Sequence, residues 1–222
     1  MKDVVNLEET PIEKAGRAGR ARTPSRSRGI ARFQVLLDAT EALLAEGNPE
    51  DVGLHQIAEK AGVPAGSVYH FFPKREAALL ALLERHQAHF DALYGLPIPG
   101  HELTSWDAIL RALFLRAAQY YKSHPSAMKI VFSGYAWEIR DAGTRRIGSN
   151  SERIYSYLDK YFHMPALSDH ASRFEICLTI LHAVWGISFQ RHGTITDVYL
   201  EEGLEASFAY CRLFLPPHIE RR

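Results

Sequence analysis

The chain has 222 residues, 46% of them apolar and 23% charged, the balance of a chain that buries a core. Its 26 basic residues meet 26 acidic ones, so no global field attracts a polyanion and any nucleic-acid contact requires local clustering of charge. No apolar run approaches the ~18 residues of a membrane span, and no apolar signal segment opens the chain. A soluble cytoplasmic protein without membrane contact is expected.

Residues 1–28 read as a flexible basic arm. Lys14, Arg17, Arg20, Arg22, Arg26 and Arg28 stand in it with no acid between Lys14 and Arg28, spaced by Ala, Gly, Ser, Thr and Pro. Such a segment cannot bury enough apolar surface to fold alone. It is either a solvated tail or an arm that finds phosphates, and composition does not choose between them. Ile30, Phe33, Leu36, Leu37, Leu43 and Leu44 then recur at helical spacing, with Gly47 as the C-terminal cap. A short helix is expected over Gly53–Ala61. A second short one follows Gly62, with Pro64 in its first turn. After Pro73 a longer helix runs from Lys74 to about Leu93, closed by the Gly-Leu-Pro-Ile-Pro-Gly break at 95–100.

Further helices are expected over Ser105–Lys122, Ser126–Phe132, Tyr135–Phe162 (broken near Gly143 or Gly148), Ser168–Arg191 ended by Gly193, and Asp197 to about Phe214, stopped by Pro216 and Pro217. No segment sustains the period-two alternation of a strand. The expected fold is all-α.

Two short helices around a glycine need an external support, because a helix of two turns does not nucleate alone in water. "LHQIAEKAGVPAGSVYHFF", residues 54–72, supplies the means. Ala58 is small where two helices cross, Gly62 permits a tight turn, and Val63, Val68 and Phe71 dock the second helix on the first. This is the pattern of a helix-turn-helix, whose second helix enters the major groove. Ala65, Gly66, Ser67, Tyr69 and His70 are its exposed positions, able to approach DNA closely or to bond base edges and phosphates. Lys74 and Arg75, at the start of the next helix, form an anion site.

Residues 30–83 resemble the DNA-binding domain of the TetR family of bacterial transcription regulators. "LLDATEALLAEG" and "IAEKAGVPAGSVYHFFPKREAALLAL" carry the resemblance, with Tyr69, His70, Phe71, Phe72, Pro73, Lys74, Arg75 and Glu76 as the family's tyrosine-x-x-phenylalanine-proline-x-basic-acidic run. The resemblance implies a homodimer, a variable C-terminal ligand domain, and repression of operator DNA relieved by a small molecule. Residues 29–75 would be the DNA-binding domain and 76–222 the ligand-sensing and dimerisation domain. Two departures matter: Pro64 and Ala65 stand where the family often has hydroxyl and polar or basic residues, and Gly53 where it often has Thr. Side chains able to read bases on the recognition helix are therefore few, and His55 and Gln56 become better candidates.

Dimerisation is expected through the helices near 168–191 and 197–214. The effector is expected to be apolar or aromatic, because the sensor region is rich in rings. The candidate ligand residues are Phe114, Tyr121, Phe132, Trp137, Tyr155, His182, Trp185 and Phe189. Cys177 and Cys211 fit two small buried residues. His86 and His89, three apart, are the best metal pair, but no third ligand follows from spacing, so neither metal nor cofactor is expected. No phosphate loop, dinucleotide fingerprint or hydrolase motif is present, so no catalytic residues are assigned. The rival reading is a helical small-molecule-binding protein, or a degenerate enzyme, that kept this fold and lost DNA binding.

Overall fold

A computed structural model describes residues 20–100, 103–133 and 150–222. The chain is all-α: among the described residues there is no strand, and one isolated antiparallel bridge joins Phe162 to Arg221. It falls into two compact units that meet in sequence between Leu82 and Leu83.

The first unit holds α1 (Ser27–Glu46), a 3-10 turn (Pro49–Asp51), α2 (Leu54–Lys60), α3 (Ala65–Phe71) and the beginning of α4 (Arg75–Gly95). Phe33, Leu36, Leu37 and Leu44 form the buried stripe of α1 that the sequence spacing requires. The Thr40 hydroxyl, fully buried, donates to the Leu36 carbonyl at 2.7 Å, which is how a polar residue is tolerated in that stripe. Phe33 is the hub: its ring lies 5.7 Å from Phe71 and 5.3 Å from Phe72. In this unit helix boundaries fall within a residue or two of expectation, except that α1 starts early, so Ser27 and Arg28 are helical rather than part of the arm. Gly47 caps α1 from an extended backbone, φ −121°, and not from the left-handed region. Pro64 precedes α3 as its N-cap rather than sitting in its first turn.

The second unit holds the rest of α4, α5 (Trp106–Ser123), α6 (Pro125–Phe132), α7 (helical over 150–159), α8 (His170–His192) and α9 (Asp197–Cys211). The expected long helix Tyr135–Phe162 lies outside the described residues up to 149. Gly193 ends α8 at φ +70°, a conformation that favours glycine, and the chain turns back at once. The Ser188 hydroxyl donates to the Thr194 carbonyl and accepts from the Thr196 N–H, which pins that turn. Contacts then run down both helices in opposite order, Trp185 on Gly203 and Cys177 on Cys211, so α8 and α9 form an antiparallel hairpin. Both cysteines are buried, their sulfurs 3.4 Å apart. Trp106, Leu113, Phe114, Phe174, Leu181, Leu204 and Phe208 complete the core between this hairpin and α5.

Candidate functional site

The turn between α2 and α3 is built from its glycine. Gly62 stands at φ +63° with open space around its α-carbon, so the conformation, not crowding, excludes a side chain there. The Val63 N–H returns to the Ala58 carbonyl at 3.0 Å, and the Ser67 N–H reaches the Pro64 carbonyl at 2.9 Å. Ile57, Ala58 and Val68 are buried between the two helices, which leaves the opposite face of α3 in solvent. Tyr69 is 56% exposed, Gly66 and His70 are exposed, and Ala65 and Ser67 are half-buried. Val63, expected to dock α3, is only half-buried.

At the start of α2, His55 and Gln56 are both exposed. A Cβ at Gly53 would collide with the Gln56 side-chain oxygen, so the Gln56 amide lies folded back over the cap. Gly53 therefore leaves room for Gln56, which takes the space a threonine would fill. Arg75 donates to the Glu50 carbonyl at 3.1 Å and to the Glu76 carboxylate at 3.0 Å. These bonds tie the start of α4 to the 3-10 turn, a bracing role the sequence does not announce. Lys74 is half-buried beside it.

The sequence reading missed a basic cleft. The Arg22 N–H donates to the Phe71 carbonyl at 2.8 Å, so the described end of the arm is fastened to the last turn of α3. Pro24, Arg26, Arg28, Arg32, Ser67 and His70 then line an open cleft of about 530 Å³. Residues 20–37 hold Arg20, Arg22, Arg26, Arg28 and Arg32 and no acid, whereas the acids of α1 begin at Asp38. That order opposes the helix dipole, which favours acids at the N-terminus and bases at the C-terminus. The first turn of α1 has no acid, its last turn no base, and its N-cap, Arg26, makes no side-chain cap. A helix that breaks these rules at one end marks a place where charge serves something other than the helix. Arg32 was the signal available in the sequence: it shares a helical face with Arg28.

In the second unit, five of the expected ligand residues come together. Tyr121 lies 5.2 Å from Phe132, ring to ring, and 6.3 Å from both His182 and Trp185; Phe189 joins through Phe132 at 6.2 Å. His182 keeps slight solvent contact as a residue, but its ring is enclosed by these aromatics, and burial pushes the imidazole down to about 4. Phe114 stands apart, stacked on Phe208, and Tyr155 stacks on His170 at 4.0 Å. Trp137 lies outside the described residues. His86 and His89 both turn Nδ1 to the Tyr120 hydroxyl, at 2.8 and 3.2 Å, and among the described residues no group of His, Cys, Asp and Glu fits a metal ion. No described helix is long and apolar enough to cross a membrane.

Residues 36–82 match the model of a family described as bacterial regulatory proteins, tetR family. The chain is 28% identical over 121 residues to the HTH-type transcriptional repressor KstR of Rhodococcus jostii, covering 54% of this chain and 56% of that one. It is 40% identical over 60 residues to the repressor NemR of Escherichia coli, covering 24% of this chain and 30% of that one. The chain thus spans about half or less of these curated relatives. A TetR-family transcriptional regulator from Streptomyces coelicolor has the same fold, with a TM-score of 0.64 at 22% identity over 83% of this chain and 99% of that one.

Proposed function

We propose that this chain, which belongs to the TetR family of bacterial regulatory proteins, is a dimeric DNA-binding repressor released from its operator by a small molecule. The observation that carries the reading is the joining of a helix-turn-helix to an arginine-lined cleft along its second helix. Ala65, Gly66, Ser67, Tyr69 and His70 would face the major groove, with His55 and Gln56 beside them. Arg26, Arg28 and Arg32, with Lys74, would hold the flanking phosphates. Arg75 serves mainly as a brace. The rival reading, the fold without DNA binding, gives the acid-free arginine cluster no purpose. Repression is supported by the names of the two relatives, both transcriptional repressors.

Residues 29–75 would form the DNA-binding domain, and residues 76–222 the sensor. An apolar or aromatic effector is supported by the ring cluster around Tyr121, Phe132 and His182. Dimerisation through α8 and α9 is supported by apolar side chains left in solvent: Ile176 is 46% exposed, Ile187 42%, Val198 70% and Leu213 76%. A binding protein of the cytoplasm, not a catalyst, fits all of these features.

The test is a mobility-shift titration with the DNA upstream of the chain's own gene against an equal length of unrelated DNA. Specific binding should exceed non-specific binding by at least about a thousandfold. Equal affinity for the two DNAs would remove the operator-binding reading.

A further inference from the structure

Residues 160–169 connect α7 to α8, and the two halves of this connector are held by different means. Backbone bonds fasten the first half to the C-terminal residues. The His163 N–H donates to the Glu220 carbonyl at 2.8 Å, and the Arg222 N–H to the Tyr161 carbonyl at 2.9 Å. Side chains hold the second half. The Tyr155 hydroxyl donates to the Pro165 carbonyl at 3.3 Å, and His170 Nδ1 lies 3.0 Å from the Leu167 carbonyl. The other ring nitrogen, Nε2, lies 3.1 Å from a carboxylate oxygen of Glu152 on α7. The imidazole also stacks on Tyr155, ring centroids 4.0 Å apart.

Both atoms that face the His170 nitrogens can only accept a hydrogen bond. A neutral imidazole has one N–H, so it serves one acceptor and sets a lone pair against the other. Only the imidazolium donates to both. The remaining charged groups nearby do not oppose it. Asp169 adds a second negative charge, and Arg173 donates to it at 2.8 Å, which holds its carboxyl below the usual carboxylate range. Arg153 on α7 pairs with Asp91 instead. The Leu167 carbonyl, with help from Glu152 and Asp169, therefore raises the imidazole above its ordinary 6.5, against partial burial. The side chain is 28% exposed, so water moderates the attraction without abolishing it.

We propose that His170 is a proton-operated clasp between α7 and the first turn of α8. Protonated, it ties the Leu167 carbonyl and the Glu152 carboxylate together; neutral, it releases one of them. The folded chain holds this proton more tightly than the unfolded chain. The clasp's contribution to stability is therefore complete below pH 6.5 and is lost as pH rises through the raised folded value. The window lies near neutrality, where few other side chains change charge. The element under control is the second half of the connector, because the backbone bonds of the first half carry no titrating group. If α8 pairs two subunits, as proposed above, the clasp sets how firmly the start of that helix is held. The clasp itself does not rest on that reading.

The experiment uses the full chain and two readouts. Imidazole carbon–proton resonances are followed by NMR through a pH titration, with His170→Gln identifying the His170 signal. Its midpoint should lie above 6.5, and Glu152→Gln should lower it by about half a pH unit. Amide hydrogen exchange of wild type and Glu152→Gln is then compared at one pH at a time, so that intrinsic exchange chemistry cancels. At about pH 5.5 the amides of residues 166–172 should be about threefold better protected in wild type, and at about pH 8.5 that advantage should be gone. Residues 160–164 should show no difference at either pH. A midpoint at or below 6.5, a midpoint unmoved by Glu152→Gln, or a protection advantage that is absent at the lower pH or unchanged at the higher one each overturns the proposal. Neither readout involves DNA, so failure of the clasp leaves the regulator reading standing, and failure to bind an operator leaves the clasp standing.

Discussion

Replacing Arg26, Arg28 and Arg32 together by glutamine separates the proposed role of the basic cleft from any structural one. The three side chains line one cleft with Ser67 and His70 and leave the buried face of α1 untouched. Each phosphate neutralised by a basic side chain contributes about 0.9 to the slope of log affinity against log salt. Three such contacts per subunit amount to about 2.7, so raising salt fourfold costs the wild type about 40-fold more affinity per subunit than the variant. Stability should move the other way. Arg26 and Arg28 stand at the positive end of the α1 dipole, with no acid in the first turn. Removing each charge should gain about 0.3–1 kcal/mol. The assay is fluorescence anisotropy of labelled operator DNA at several salt concentrations, paired with thermal melting of the free protein. A variant that folds more stably and binds DNA more weakly, with a flatter salt slope, is the expected result. A variant that keeps the wild-type slope, or that loses stability, would show that these arginines serve the fold and not a polyanion.

Two further outcomes test the sensor unit. Gly203→Ala should destabilise the protein by about 1–2 kcal/mol, although helix propensity alone predicts a gain of about 1 kcal/mol. The added Cβ would stand 2.9 Å from the Trp185 Nε1 and 3.3 Å from a Leu181 methyl, and Trp185 is fully buried, so a rise in melting temperature would contradict the packing described. His182 should make stability fall with acidity: its folded pKa, about 4, lies below the ordinary 6.5, so the unfolded chain binds the proton first. The contribution is complete above pH 6.5 and is lost as pH falls toward 4; between pH 7 and 5 wild type should lose about 2 kcal/mol more than His182→Phe in urea melts, and parallel pH profiles would refute the burial of the ring.

Sequence and structure agree most closely where one local rule decides the outcome. Gly62 and Gly193 are legible because a left-handed residue ending a helix is nearly always glycine, and both stand at positive φ. The α1 stripe from Phe33 to Leu44 is legible because burial imposes a helical period. The outcome is less legible where a side chain chooses between partners far apart in the chain. Arg75 follows a proline in a basic pair and reads as a phosphate ligand, yet the Glu50 carbonyl, brought near by the 3-10 turn, takes part of its guanidinium. Phe114 and Tyr155 read as members of one aromatic cluster, but α9 and the start of α8 offer Phe208 and His170 as stacking partners. No spacing rule ranks such partners, because ring–ring contacts are all of similar strength.

The basic cleft shows the same limit from the other side. Its charges were visible in the sequence, but their meaning depends on two contacts between distant residues, the packing of Phe33 on Phe71 and the bond from the Arg22 N–H to the Phe71 carbonyl. Without that bond the arm is free, and its arginines spread their effect over a large volume. With it, the end of the arm joins the bases at the start of α1, which the packing of Phe33 on Phe71 holds beside the last turn of α3, the helix proposed to read DNA. The arrangement costs α1 stability, since Arg26 and Arg28 oppose its dipole and no acid offsets them. A chain with equal numbers of acids and bases can still address a polyanion if it sorts them along one helix. Here the bases precede Phe33 and the acids follow Leu37, so the end of α1 nearest α3 is cationic while the unit's other charges offset it at a distance. Salt should therefore act on DNA binding through this short segment, and not through the net charge of the chain.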